Sequence, residues 1–311
     1  MLAITLPEFG DESVLTPADV DTPSPADLAG DEVLIRVAAA GVNRADLMQR
    51  QGFYPPPPGE SELPGLEVSG TIEAVGTDTL GWKVGDEVCA LLAGGGYAEY
   101  VVAPAAVLAP APSSVPLADA AALPMVGLTA QQALFADGQL QAGQRILING
   151  AGGAVGGYAV QLAKRAGAYV IATASPRSAA RVRAGGADEV IDHTTADVTT
   201  AVTEPVDVLL NVARIGAEEL VALMALVRDG GTVVNTIPTI PTPSDEARGV
   251  RAAGVFVRSD AGELARLVEL VDAGELRVDV AERIGLAELP ALHARAAEGG
   301  VSGKVVVLPA L

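Results

Sequence analysis

The sequence predicts an α/β protein built from a doubly wound parallel sheet and a separate β-rich domain. Between Pro124 and about Ser259, strand-like and helix-like segments alternate, which is the signature of such a sheet. Ahead of that region, short strand-like runs are separated by Gly76-Thr-Asp, Gly85-Asp and Gly94-Gly-Gly96, the texture of a small barrel-like domain. Near the start of the alternating region, a glycine-rich turn links a buried-strand pattern to a helix pattern.

That turn is the organising stretch. Arg145-Ile-Leu-Ile148 reads as a strand, and Val155–Ala166 carries helical periodicity. The glycines between them are spaced Gly150-x-x-Gly153-x-x-Gly156, with Ala151 where the commoner G-x-G-x-x-G fingerprint has its first glycine. Such a turn aims free backbone N–H groups and the positive end of the helix dipole at one point, where a diphosphate fits. Gly150, Gly152, Gly153, Ala154, Val155 and Gly156 are therefore candidate cofactor contacts. Gly153 would admit the pyrophosphate, and Gly156 would let the helix pack on the strand.

The next strand, Tyr169–Ala174, bears on which dinucleotide. A site for NAD places an acid at its end to hold the ribose 2′-hydroxyl. Here the chain continues Ser175-Pro-Arg177-Ser178 with no carboxylate. Ser175 and Arg177 suit a 2′-phosphate, so NADPH is the expected cofactor, and Arg181 stands one turn on as a partial substitute. Ser175-Pro176 also reads as a helix cap, and the two roles are compatible. Asn211 and Thr236 fall at the C-terminal ends of later strands, the edge where ligands collect in this fold. His193 follows the strand Glu189–Asp192, and Arg258 follows the expected last strand, Gly254–Arg258. A loop histidine and a surface arginine are the competing readings of these two.

Composition sets outer limits. The chain has 311 residues, enough for two ordinary domains, and a formal charge of −19. That charge argues against nucleic acid or an anionic membrane surface as a partner. No apolar run approaches the roughly 20 residues that span a bilayer, and the N-terminus lacks a basic leader, so a soluble cytoplasmic protein is expected. The single cysteine, Cys89, excludes an internal disulfide and any multi-cysteine zinc site.

The remaining elements follow from periodicity. Glu32–Ala40 alternates like a half-buried strand, and residues 43–50 suit a short helix with Asn43 near its N-cap. Gly52–Gly59, with four consecutive prolines, reads as an extended loop. Further strands are expected at Glu67–Val75, Glu87–Leu92 and Tyr97–Val102. In the alternating region, helices are expected at Gly127–Ala136, Arg177–Ala184 and Ala217–Val227, and strands at Val206–Asn211 and Thr232–Thr236. The tail offers a helix at Ala261–Ala273 and strands near Val278–Ile284 and Gly303–Leu308, the last rejoining the first domain. The expected domains are 1–123 with 261–311, and 124–260.

Six motifs fall in one order: Gly41-Val-Asn-Arg-Ala-Asp46, Gly52-Phe-Tyr-Pro-Pro-Pro57, Gly65-Leu-Glu-Val-Ser-Gly70, Val84-Gly-Asp-Glu-Val88, Gly127-Leu-Thr-Ala130 and Gly153-Ala-Val-Gly156. That order resembles the quinone oxidoreductase (zeta-crystallin-like) branch of the medium-chain dehydrogenase/reductase superfamily, over nearly the whole chain to Gly303-Lys-Val-Val-Val307. The resemblance implies a GroES-like catalytic domain, a Rossmann domain, a cleft between them and a homodimer. Zinc-dependent members carry a Cys where this chain has Asn43, and a Gly-His-Glu where it has Gly65-Leu66-Glu67, so no catalytic metal is expected.

The resemblance also implies site residues. Tyr54 matches a cleft tyrosine whose phenol would meet the substrate oxygen; packing of Phe53-Tyr54 on the prolines is the equal alternative. Asn43 replaces a metal ligand and would touch substrate or nicotinamide ribose, unless it only caps its helix. Thr129 lies where the family holds the nicotinamide carboxamide, a purely structural helix threonine being the alternative. Asp46 and Lys304 are matched too, Asp46 reading better as a solvated or salt-bridged helix residue and Lys304 having no assigned role. The implied activity is NADPH-dependent reduction of a small-molecule quinone or α,β-unsaturated carbonyl (enone). Two rivals remain: an enoyl or 2-alkenal reductase of a biosynthetic pathway, and a non-catalytic NADPH-binding structural or sensor protein.

Overall fold

The structure, a computed structural model, describes residues 1–53 and 63–311. Tyr54 and the four prolines after it lie outside the described residues. The chain forms two compact units, Met1–Met125 with Ser259–Leu311, and Val126–Arg258.

The first unit opens with an antiparallel pair, β1 (Leu2–Thr5) and β2 (Thr16–Asp19). Strand β3 (Glu32–Val42) alternates buried and more exposed residues only in its middle, between two runs of buried residues at Val33–Ile35 and Ala39–Gly41. Two register irregularities against its neighbour bend it, and so let one strand serve several partners. Helix α1 (Arg44–Arg50) follows, then β4 (Glu67–Val75), β5 (Glu87–Leu91), β6 (Tyr100–Pro104), β7 (Leu108–Pro110) and the short α2 (Leu117–Ala120). The strand expected from Tyr97 starts three residues later, because the Tyr97 carbonyl accepts the Ile4 N–H of β1 at 2.8 Å.

Helix α3 (Pro124–Gln131) begins earlier than its periodicity suggests and widens into a π-helical turn over Gln132–Asp137. The second unit continues with β8 (Arg145–Asn149), α4 (Ala154–Arg165), β9 (Tyr169–Ala174), α5 (Pro176–Ala184), β10 (Glu189–Asp192), α6 (Val198–Ala201), β11 (Val206–Asn211), α7 (Ala217–Met224), β12 (Val227–Asn235) and β13 (Arg251–Gly254). All neighbours are parallel, in the order β10-β9-β8-β11-β12-β13. In sequence terms that is 3-2-1-4-5-6, the order of a Rossmann sheet. Ile146, Leu147 and Ile148 are fully buried, as expected of a central strand covered on both faces.

Two expectations need correction here. Helix α7 stops at Met224, and Val227 belongs to β12, where it pairs with Val206 before a register shift. The expected last strand, Gly254–Arg258, is displaced: β13 ends where that segment was to begin. Its partner β12 finishes at Asn235, and the last bond across the pair runs from the Val255 N–H to the Asn235 carbonyl at 2.9 Å. Beyond that point no ladder remains to hold an extended strand, and Phe256 is largely exposed.

The chain returns to the first unit with α8 (Ala261–Asp272), β14 (Val280–Gly285), α9 (Leu289–Ala297) and β15 (Lys304–Leu308). The seven-stranded sheet runs β14-β15-β3-β4-β5-β7, with β6 paired to β3. Its core gathers Ile4, Val33, Ile35, Ile72, Tyr97 and Val307, together with Leu289 and Leu292 of α9, a helix that periodicity alone did not reveal.

One group in α9 carries a measurable consequence. His293 is 1 % exposed, neither ring nitrogen has a hydrogen-bond partner, and Arg50 lies nearby. Burial, reinforced by the Arg50 charge, pushes its pKa down to about 3. In the unfolded chain it takes a proton near pH 6.5. The unfolded state therefore binds more protons between those values, and stability falls as pH drops below about 6.5. Denaturant melts of wild type and His293→Leu across pH 5–8 should show a shallower acid loss in the variant.

Candidate functional site

In the second unit, the turn between β8 and α4 is built as its glycines suggest. Gly150 has φ +96°, a left-handed conformation that only glycine adopts readily, and an added Cβ there would meet the Ala213 backbone nitrogen at 2.9 Å. At Gly156 a Cβ would meet the Gly150 carbonyl oxygen at 2.5 Å, so α4 packs directly on the turn. A Cβ at Gly152 would collide with the Ser178 hydroxyl of α5.

Gly153 differs from these. It is exposed, and a Cβ would meet nothing nearer than the Gly150 oxygen at 3.5 Å, so no packing inside the protein demands glycine. A cradle kept open in this way fits a group brought close from outside. Ala154, Val155 and Gly156 supply the first amides of a twelve-residue helix, which have no carbonyl one turn back to bond. The donor set and the open cradle fit a diphosphate.

Helix α5 starts beside this turn. Ser175 occupies its N-cap and Pro176 its first turn, yet the Ser175 hydroxyl makes no capping bond. Arg177 is exposed in that first turn and forms no ion pair with a described residue. Arg181 is committed elsewhere: its Nη2 donates to the Gly152 carbonyl at 2.6 Å, holding the glycine turn against α5. The expected substitution of Arg181 for Arg177 is thereby corrected. From Ser175 to Ala187 the chain has three arginines and no acid, a basic run in a chain of net charge −19.

The other candidate contacts of this unit divide. Asn211 is completely buried and its carboxamide is bonded at both ends, to Asn149, Asn235 and the Ala213 backbone. Its side chain is scaffold, and the expectation of a ligand contact is corrected. Thr236 donates its hydroxyl to the Asn211 carbonyl at 3.2 Å. Thr129 lies in α3 and is 8 % exposed. His193 is exposed in the turn after β10. Gln132 of the π-helical turn grips the Arg258 backbone with two bonds of 3.0 Å, leaving its side chain exposed.

The first unit holds a buried ionic cluster. Glu67, at the start of β4, is fully buried, and Lys304, at the start of β15, is 2 % exposed. The Lys304 ammonium donates to Glu67 Oε1, to Asn43 Oδ1 at 2.5 Å and to the Val42 carbonyl at 3.1 Å, which uses all three of its donors. Glu67 Oε1 also accepts from Asn43 Nδ2 at 2.6 Å, and Oε2 from the Met125 N–H at 2.7 Å. Both ends of the Asn43 carboxamide are thus engaged inside the cluster. Lys304, without a role in the sequence, is the centre of the cluster; a basic residue in an otherwise apolar strand was the available signal.

Asp46 completes the cluster and is 1 % exposed, contrary to the solvated reading. Its Oδ2 accepts the Asn43 N–H at 2.6 Å, capping the start of α1, while Oδ1 has no hydrogen-bond partner. Burial raises its pKa to about 7 against the opposing Asn43 bond and the Lys304 charge, and the Tyr97 phenol lies beside it.

Two outcomes follow from this cluster. Lys304→Met leaves Glu67 buried without a charge partner and should destabilise the protein by about 3–5 kcal/mol. Adding Glu67→Gln should recover much of that loss in denaturant melts. Asp46 contributes stability that is complete below about pH 4 and is lost as pH rises through about 7. Asp46→Asn should remove that decline while keeping the cap, as urea midpoints between pH 5 and 8 would show.

Comparison with known proteins agrees with this architecture. Residues 29–113 match the alcohol dehydrogenase GroES-like domain, and residues 185–307 match a family described as zinc-binding dehydrogenase. No group of three or more His, Cys, Asp or Glu that could hold a metal occurs among the described residues. The chain is 31 % identical over 309 residues to the chloroplastic quinone-oxidoreductase QR1 of Triphysaria versicolor, covering 93 % of each. It is 30 % identical over 315 residues to a quinone oxidoreductase of Pseudomonas aeruginosa, covering 92 % of this chain and 93 % of that one. The solved quinone oxidoreductase from Coxiella burnetii superposes with a TM-score of 0.86 at 29 % identity over 99 % of both chains. The CurK enoyl reductase gives 0.86 at 27 % identity, over 99 % of this chain and 98 % of that one. With a GroES-like unit, a Rossmann sheet and relatives matched along almost their whole length, the chain belongs to the quinone oxidoreductase (zeta-crystallin-like) branch of the medium-chain dehydrogenase/reductase superfamily and is an oxidoreductase of that family.

Proposed function

We propose that this oxidoreductase uses NADPH to reduce a quinone or an α,β-unsaturated carbonyl, acting as a homodimer. The observation that carries the cofactor assignment is the start of α5, where Ser175 and the uncommitted Arg177 follow β9 and no acid stands ready for a ribose 2′-hydroxyl. The open cradle at Gly153 and the first amides of α4 would hold the diphosphate. The bound nicotinamide supplies the hydride, and the protein supplies orientation and charge stabilisation.

Substrate class follows from what stabilises charge. Asn43 and Leu66 stand where zinc-dependent members carry ligands, and Asn43 is tied to an ammonium. Charge developing on a substrate oxygen is then met by hydrogen bonds, a task suited to conjugated acceptors over which it spreads. Tyr54, outside the described residues, is the proposed phenolic donor. The names of the relatives, which include quinone oxidoreductases and an enoyl reductase, support both acceptor classes. For the dimer, β13 at the end of the sheet is the edge a second copy would cover.

Dissociation constants separate the roles of the two arginines. A lost charge-assisted hydrogen bond is worth roughly 1.5–3 kcal/mol, so Arg177→Ala should weaken NADPH about ten- to a hundredfold and leave NADH nearly unchanged. Arg181→Ala, which releases the glycine turn, should weaken both cofactors alike. A wild type preferring NADH overturns the assignment. Steady-state rates with NADPH on a benzoquinone, a short enal and an enoyl thioester identify the acceptor, and no turnover of any of them would favour a binding protein.

A further inference from the structure

Four adjacent strands of the second unit end in buried polar side chains that bond one another across the sheet. Asn149, Asn211 and Asn235 are register partners at the ends of β8, β11 and β12, and Thr173 lies on the other side of Asn149, near the end of β9. They are 5 %, 0 %, 3 % and 1 % exposed. The Gly150 N–H donates to Thr173 Oγ1 at 2.8 Å, and that hydroxyl donates to Asn149 Oδ1 at 2.8 Å. Asn149 Nδ2 donates to Asn211 Oδ1 at 3.0 Å, and Asn211 Nδ2 to Asn235 Oδ1 at 3.0 Å. Asn235 Nδ2 ends the chain on the carbonyls of Ile237 at 3.0 Å and Ile240 at 2.8 Å.

One residue earlier, the same strands carry Ile148, Leu210 and Val234, all fully buried. Apolar side chains therefore fill the sheet at that depth, and burying three carboxamides instead is costly unless each finds partners. Here all do, and their donors point one way, an arrangement in which hydrogen bonds reinforce one another. The chain begins on the amide of the left-handed Gly150 and ends in the loop after β12. Both places border the C-terminal edge of the sheet.

We propose that Thr173, Asn149, Asn211 and Asn235 form a positioning relay that holds the glycine turn and the Ile237–Ile240 loop in one arrangement for nucleotide binding. None of the four needs to touch the nucleotide. The inference rests on the nucleotide-binding reading given above. A relay of this kind predicts that a change at Asn235 is felt at Gly150, three strands of side chains away.

The test uses Thr173→Val, which removes the hydroxyl and keeps the shape, Thr173→Ser, which keeps the hydroxyl, Asn235→Ala, and the Thr173→Val/Asn235→Ala double variant. Each lost hydrogen bond is worth roughly two- to tenfold, so either Thr173→Val or Asn235→Ala should weaken NADPH and NADH about 5- to 30-fold with their ratio unchanged. The double variant should lose little more than the worse single one, because interrupting one chain twice is not additive. Thr173→Ser should stay within about twofold of wild type, a rescue by the retained hydroxyl.

Amide exchange in the protein without nucleotide supplies an independent readout. The Gly150 amide should exchange roughly tenfold faster in Asn235→Ala, with the amides of β10 unaffected. Wild-type dissociation constants and Gly150 exchange in Asn235→Ala would overturn the relay, as would losses that multiply in the double variant. If Asn235→Ala does not fold, the contrast between Thr173→Val and Thr173→Ser decides: equal binding by the two overturns it. A wild type that binds neither nucleotide strikes the proposed function, and the exchange readout still judges the relay.

Discussion

A carboxylate with no solvent exposure needs a charge partner, and Glu67 finds it 237 residues along the chain in Lys304. Because the desolvation of both ions is recovered only while they touch, the pair requires β15 to lie beside β3 and so joins the two ends of the sequence in one unit. The intervening Rossmann sheet is then an insertion between two parts of the first unit. Asn43, α1 and Asp46 are arranged by the same contact, since the ammonium and the carboxylate hold both ends of the Asn43 carboxamide.

In the second unit the corresponding constraint is backbone geometry. Gly150 has to take a left-handed conformation and Gly156 has to admit the helix to the turn, so the first amides of α4 are presented together. Three side-chain contacts hold that turn: the Thr173 hydroxyl on the Gly150 amide, the Arg181 guanidinium on the Gly152 carbonyl, and Ala213 packed against Gly150. Each comes from a different segment, so the turn reports on the state of the sheet around it. Of the turn glycines 150, 152, 153 and 156, Gly153 is the one where an added side chain would meet no close internal contact.

Charge is distributed to match. The surface of a chain at −19 repels anions in general, and the basic run of α5 offsets that repulsion only locally. One of its arginines is tied to structure and another is exposed, a division of labour that the positions alone do not disclose.

The sequence by itself determined the fold class, the glycine turn and the missing carboxylate after β9, because each depends on residues near one another in the chain. Periodicities of two and 3.6 and a glycine spacing are local signals. It also carried the family membership, through six motifs in one order. Tertiary structure decided what the polar residues do. Asn43 and Asn211 read as ligand contacts because their types and positions suit that role, yet both carboxamides bond side chains between 24 and 261 residues away. Asp46 looks like a solvated helix residue and is buried, with its pKa pushed up to about 7; Lys304 looks idle and carries the central charge. The last strand misled in the same way: Gly254–Arg258 has strand-like residues, but a strand ends where its partner ends. A side chain offers donors and acceptors, and which of them remain for a ligand is known only once the rest of the chain has taken its share.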